Sequence, residues 1–446
     1  MTTVELPDGP TAPALVQGCQ LWANRYEYTR RWRDRYGPTF TVRLPWFGTV
    51  VVISDPDDVK AVFAASTDHF VQHPNFSRFF GPDSLPVLTG DKHRRHRRLL
   101  APPFHRRRLE VYESLVEEEA VHEMATWPTG RGFTTLPSMK RITLNVILRA
   151  VFGAEGAELD ELRELLPRMA FLGSALFSLS APRGPLSRAS WAPFRIYRRR
   201  YDTIIDRLVE RALADQRRGD RDDILALMLR ARYDDGSAMT RGEIADELLS
   251  LLGAGHETTA TTLAWTVERL RRHPEVLRRL VAEGDAGGSQ LREATILEVQ
   301  RVRPVIDMLV RSIDAESMQI GSWALPRGQT IIVNIQLVHE SEELFPNAHK
   351  FDPDRFVGER PDSCNWIPFG GGPRRCIGAA FATMEMNLVL RTLLRHFTLE
   401  PTAAPDERVH FRGVACAPAE KGFAVVHRRG PRPAASDGTH TGRVLA

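Results

Sequence analysis

The sequence predicts a mainly α-helical protein with small β-sheets, an α+β arrangement within one domain. Three observations lead there. Helix-like periodicity dominates residues 91–280, strand-like runs are short and confined to residues 37–54 and the stretch after Arg301, and no internal repeat or linker divides the body. A chain of 446 residues could hold three domains of about 150 residues, so the single-domain reading rests on this patterning and not on length.

Taken in order, residues 39–43 alternate apolar with polar side chains and residues 49–53 are all β-branched, with Pro45 and Gly48 supplying the turn between them. Residues 56–63 change to a helical pattern. Residues 70–89 hold four prolines or glycines among aromatics and read as a loop. The helical stretch that follows is interrupted at residues 177–191, rich in Ser, Pro, Gly and Leu. Its clearest element spans residues 240–272, where Thr240 and Glu243 form a capping box and Pro274 forbids continuation. Such a helix is roughly 45–50 Å long, enough to cross a whole domain. Beyond Arg301, residues 318–320 and 330–335 read as strands, residues 351–373 as irregular and proline-spotted, and residues 383–397 as helix. The domain is expected to span residues 1–427, with a tail at 428–446 too poor in apolar residues to order.

Composition narrows the function classes. With 42% hydrophobic and 26% charged residues, the chain fits neither a collagen-like, a coiled-coil nor a disordered protein. The net charge of +4 is mild, and only five of the 60 basic residues are lysine, a skew typical of a GC-rich genome. Arginine clusters therefore do not by themselves argue for nucleic acid, and no aromatic platform or known module accompanies them. Cys19, Cys364, Cys376 and Cys416 are too few and too scattered for a disulfide scaffold or a paired-cysteine metal site, so one functional thiol among bystanders is expected. Residues 1–14 lack the basic start and apolar run of a secretory signal, and no window approaches the roughly 18 apolar residues of a membrane span. A cytoplasmic protein without a transmembrane anchor is the expectation.

The chemistry concentrates in residues 369–378. Glycines at 370–372 free the backbone for a tight turn, Pro373 stiffens its exit, and Cys376 lies just before a helical run. A helix start lowers a thiol pKa and favours thiolate. Gly378 allows a flat ligand to approach, and Arg374 can meet an anion two residues from the sulfur. A thiolate beside a cation and an aromatic suits an axial ligand to heme iron. The same residues in isolation would suit a buried structural cysteine, whereas a phosphate cradle fails because no Lys-Ser/Thr follows the glycines.

Phe369, Gly372, Arg374, Cys376 and Gly378 fill every defined position of Phe-x-x-Gly-x-Arg-x-Cys-x-Gly, so the segment resembles the heme-binding signature of the cytochromes P450. The resemblance implies a cytochrome P450 fold with a long central helix and a heme-thiolate loop, and heme b (iron protoporphyrin IX) as cofactor. It implies Cys376 as the metal ligand, Phe369 against the sulfur and Arg374 at a propionate.

A second segment agrees. Gly255 costs about 1 kcal/mol in a helix interior relative to alanine, and Thr258 can bond back to the Ala254 carbonyl, together opening a groove for water or O2 beside the acid Glu257. Ala254, Gly255, Glu257 and Thr258 resemble the family's oxygen-activation motif, which implies catalytic roles for Thr258 and Glu257 in managing protons and places Ala254 and Gly255 against the cofactor. A zinc site beginning at His256-Glu257 fails because Ala260 holds the fifth position, and a dinucleotide fingerprint fails because Thr258 replaces the third glycine. Electrons must then come from a partner.

Glu298 and Arg301 share a helix face, which alone means little. The later Pro353-Asp354-Arg355-Phe356 resembles the family's Pro-Glu-Arg-Phe segment with Asp for Glu, which implies a structural triad of Glu298, Arg301 and Arg355. His93 and Arg97 match the family's His-x-x-x-Arg propionate pair, and Arg311 looks like a further propionate ligand. The basic stretches at 94–98 and 106–108 read either as a solvated face or, by resemblance, as the surface where an acidic ferredoxin docks. By segment, the distal pocket would draw on residues 70–88, 167–191, 251–255, 305–309 and 414–417. Their side chains are mostly apolar, among them Phe76, Phe79, Phe80, Phe171 and Phe177, so a lipophilic small molecule is expected. Asp307 is the exception, facing either that pocket or a surface loop. The resemblance, which covers roughly residues 30–425, implies a monomeric bacterial-type monooxygenase fed with O2 and with electrons by a ferredoxin and its reductase. An H2O2-dependent peroxygenase of the same fold and a non-catalytic heme sensor stand as alternatives.

Overall fold

The structure is a computed structural model that describes residues 5–45, 47–104, 106–153, 156–179, 189–216, 219–412 and 415–430. The expectations for residues 180–188, for Val414 and for most of the tail, residues 431–446, lie outside these.

The fold is mainly helical, with a five-stranded sheet and four two-stranded ones among the described residues. The larger sheet runs Thr39–Leu44, Gly48–Ile53, Thr330–Asn334, Met308–Ile313, Phe70–Val71. Its first pair is the anticipated hairpin, with Thr39 opposite Ile53 and Leu44 opposite Gly48, and Gly48 takes the positive φ of 71° that the turn demands. Gly48–Ile53 then runs parallel to Thr330–Asn334, joining two segments far apart in the chain.

The helix Arg241–Arg272 forms the central shaft, about 48 Å long at 1.5 Å per residue. Both bonds of its capping box are made, from Glu243 N–H to Thr240 Oγ1 at 3.1 Å and from Thr240 N–H to Glu243 Oε2 at 2.7 Å. It is buried along most of its length, a mark of a helix inside a core instead of on its surface. Its neighbours include the helices Thr135–Phe152 and Ala379–His396, with which it shares the largest apolar cluster.

Two helices depart from the sequence-based expectation. Residues 70–89 are not wholly loop, because Pro74–Phe80 is a helix with Pro74 in its first turn and Gly81 (φ 96°) at its end. Those two residues are start and stop signals as much as loop formers. Ala14–Tyr36 is also helical, kinked at Asn24, and only Gln17, Thr29 and Trp32 on it are buried. A helix with so narrow a buried face leaves little periodic trace. Trp32 nevertheless packs with Phe40, Val42, Val50 and Val52 and covers one face of the sheet.

Candidate active site

The cysteine loop is built against the end of the helix Pro56–Ala64. A side chain at Gly372 (φ 62°) would place its Cβ 1.9 Å from the Phe63 carbonyl oxygen, and one at Gly371 would lie 2.3 Å from the Phe63 ring. The glycines are therefore required by a close approach, Gly372 by its backbone angle as well. The loop then closes on itself. Gly370 N–H donates to Ile367 O at 3.0 Å and Cys376 N–H to Phe369 O at 2.9 Å. Phe369 meets Trp366 edge-on at 6.0 Å. Two residues past Cys376, Gly378 has nothing within 4 Å of its Cβ direction, and the helix Ala379–His396 begins immediately after it.

The thiol was expected to titrate low. Instead burial pushes Cys376 up, opposed by the Gly378 N–H and by the charges of Arg97 and Arg375. Its side chain has open surface at close range although protein encloses it at longer range. A cation bound at the open Sγ would reverse the titration balance. Ala254 likewise carries open surface between buried turns of the central helix.

Basic groups converge nearby. His93 is buried and its pKa falls to about 4, from burial first and then from Arg374 and Arg97. Arg311 falls to about 10 through burial and the Arg374 charge, and Arg374 to about 10 through burial alone. Arg97 is lowered by burial, which the Cys376 charge opposes. Among the described residues none of the four pairs with a carboxylate. Arg374 spends Nη2 on Leu88 O at 2.6 Å, Arg97 donates to Arg375 O at 2.7 Å, and Arg311 to Val310 O at 2.8 Å. His93 Nδ1 and Arg374 Nε are buried with no hydrogen-bond partner. Such a cluster is costly unless anions complete it. Two propionate carboxylates would complete it, and Cys376 Sγ, open at close range, is free to bind an iron, so the residues present suit heme.

On the central helix Thr258 Oγ1 donates to Ala254 O at 2.8 Å. Gly255 does not open the expected groove, since its Cβ direction meets Ile147 of the helix Thr135–Phe152 at 3.5 Å. Gly253 is the glycine turned to the aromatic side, 3.6 Å from Phe80 and 4.0 Å from Phe79. Glu257 pairs with Lys140, a partner that sequence reasoning missed. Burial raises the Glu257 carboxyl, but the Lys140 charge and hydrogen bond outweigh it and hold the group below its usual range.

Behind the loop, Arg301 binds Glu298 through two bonds of 2.7 Å and Arg355 reaches the same carboxylate at 3.2 Å. Asp354 turns outward to Arg279. On the other side Phe76, Phe79, Phe80 and Phe177 make a chain of ring contacts, with Phe76 edge-on to Phe177 at 4.9 Å. Phe171 is 70% exposed and does not join them. Asp307 is neither a pocket polar group nor a surface aspartate, being buried against Arg25 at 3.0 Å. The basic stretch is partly neutralised, with Arg95 on Asp235, Arg98 on Asp234 and Arg108 on Asp222.

Comparison with known proteins agrees with this geometry. A family profile described as cytochrome P450 matches residues 7–423. The chain is 52% identical to cytochrome P450 138 of Mycobacterium tuberculosis, covering 96% of this chain and 97% of the relative. It is 36% identical to cytochrome P450 135B1 of the same species, covering 94% and 90%. Among solved structures, cyanobacterial CYP120A1 with retinoic acid bound superposes with a TM-score of 0.82 at 23% identity, over 96% of this chain and 100% of that one. CYP175A1 from Thermus thermophilus gives 0.73 at 26%, over 93% and 98%. No helix among the described residues is long and apolar enough to cross a membrane. The chain belongs to the cytochrome P450 family, a family of monooxygenases.

Proposed function

We propose that this protein inserts one atom of O2 into an unactivated C–H bond of a lipophilic small molecule, with heme b as cofactor and a separate ferredoxin and reductase as electron source. The observation that carries the reading is the pairing of Cys376, presented by its glycine loop, with four basic groups that no carboxylate among the described residues neutralises. Heme, when bound, would supply oxygen activation at an iron made electron-rich by a thiolate ligand. Cys376 Sγ would hold the iron, while His93, Arg97, Arg311 and Arg374 would hold the two propionates, whose charge would offset the repulsion between Arg311 and Arg374.

Proton handling falls to the central helix. The Thr258 hydroxyl proton is committed to Ala254 O, so its oxygen lone pairs are free to accept, and it passes a proton on only by releasing that carbonyl. Glu257, kept ionised by the partly exposed Lys140 ammonium, is the proton acceptor of this helix segment. The aromatic chain Phe76, Phe79, Phe80 and Phe177 would exclude water and favour an apolar substrate.

Turnover with a ferredoxin, its reductase and O2 should exceed turnover with H2O2 alone; the reverse would make the protein a peroxygenase. Fatty acids, sterols or terpenoids should shift the heme spin state. Silence to all three with binding of only a charged, polar compound would overturn the lipophilic reading.

A further inference from the structure

One side chain ties the cysteine loop to the buried ion pair behind it. His339 ends the short helix Ile335–His339 and is completely buried. Its ring lies between two backbone groups with opposite requirements. The Ile367 N–H can only donate, and it meets Nε2 at 2.9 Å. The Arg301 carbonyl can only accept, and it lies 3.2 Å from Nδ1. Together they fix the tautomer, with the proton on Nδ1 and the lone pair on Nε2. The His339 carbonyl in turn accepts from Arg301 Nη1 at 2.8 Å, so the two residues hold each other side chain to backbone in both directions.

The surroundings keep the ring in that state. Phe345 meets it edge-on at 6.1 Å, and the Arg301 guanidinium lies 5.3 Å over the same phenyl ring. Burial, and then the Arg301 charge, press the imidazolium pKa down to about 3, so Nε2 remains an acceptor at neutral pH. From Ile367 the connection continues through Gly370 N–H on Ile367 O and Cys376 N–H on Phe369 O.

We propose that His339 is a positioning residue for Cys376, transmitting the rigidity of the Glu298–Arg301 pair to the turn at 366–370 and so to the sulfur. The inference rests on the heme-thiolate reading above. A residue needed only to fill space could be replaced by leucine, but leucine leaves the Ile367 N–H buried without an acceptor.

Three variants of the holoprotein separate the roles. In His339→Gln the amide reaches the Nε2 position and can accept from Ile367. In His339→Asn it reaches only the Nδ1 position, and His339→Leu offers neither. The reduced, CO-bound protein is placed in mild denaturant, and the decay of its thiolate-type Soret band is timed. Leu and Asn variants should lose the band about tenfold faster than wild type, with the Gln variant close to wild type. Amide exchange in the peptide covering residues 366–370 should accelerate in the same two variants. Equal decay and exchange in all four proteins would overturn the proposal, as would a Gln variant no better than Leu. Should the Leu variant fail to fold, the Gln and Asn pair decides. A wild type without a thiolate band defeats the heme reading instead, and the exchange comparison still reports whether His339 holds Ile367.

Discussion

Glu257 shows how a site residue is set by a neighbour far away in the chain. Lys140 lies 117 positions earlier, and nothing in the local sequence announces the pair. Burial alone would raise the carboxyl, so its lowered pKa depends on that ammonium, with His256 and Arg412 as weaker contributors. Because the folded value lies below the unfolded one, ionised Glu257 adds stability at neutral pH that is lost as pH falls through the folded value. Lys140→Met should therefore move the acid limb of the turnover profile to higher pH, and a limb that stays in place contradicts the pairing. The basic cluster makes a second case. Arg374→Ala should weaken heme retention during gel filtration, because it removes a buried cation that has no carboxylate partner among the described residues.

Segments with local punctuation were readable, and segments stabilised by their surroundings were not. The central helix carries its cap, its apolar stripe and its proline stop within its own residues, and the structure has it at Arg241–Arg272. Thr240→Ala should cost about 1 kcal/mol in urea unfolding, since it removes one bond of the capping box. The cysteine loop was readable for a similar reason, as its glycines and proline are local devices. Why Gly372 must be glycine was not readable, because the obstacle is the Phe63 carbonyl, more than 300 residues away in sequence. Gly372→Ala should prevent heme incorporation while far-UV circular dichroism stays native-like; normal heme content would contradict the close approach. The helix Ala14–Tyr36 left no such trace, because it buries only Trp32 among its apolar side chains, with Leu21, Tyr28 and Tyr36 half-buried beside it over a sheet formed elsewhere.

Across the molecule, buried ion pairs join parts of the chain that no periodicity could connect. Glu298 accepts from Arg301, Arg355 and the Asp352 N–H, and Arg301 also reaches the carbonyls of Ala348 and Lys350. The Arg25–Asp307 pair spans 282 positions. Removing one partner of such a buried network costs about 3–5 kcal/mol, so Glu298→Ala should lower the melting temperature markedly, whereas Asp354→Ala, which breaks an exposed pair with Arg279, should leave it nearly unchanged. Of these networks, the Glu298–Arg301 pair is the one that reaches the cysteine loop, through His339 and Ile367. The measurement to make is therefore the absorption difference spectrum of the reduced protein with and without carbon monoxide, for wild type and Cys376→Ala side by side. A far-red Soret band of thiolate-ligated heme in the wild type, absent from the variant, is the predicted result. No heme, or a histidine-like band in well-folded wild-type protein, would contradict it.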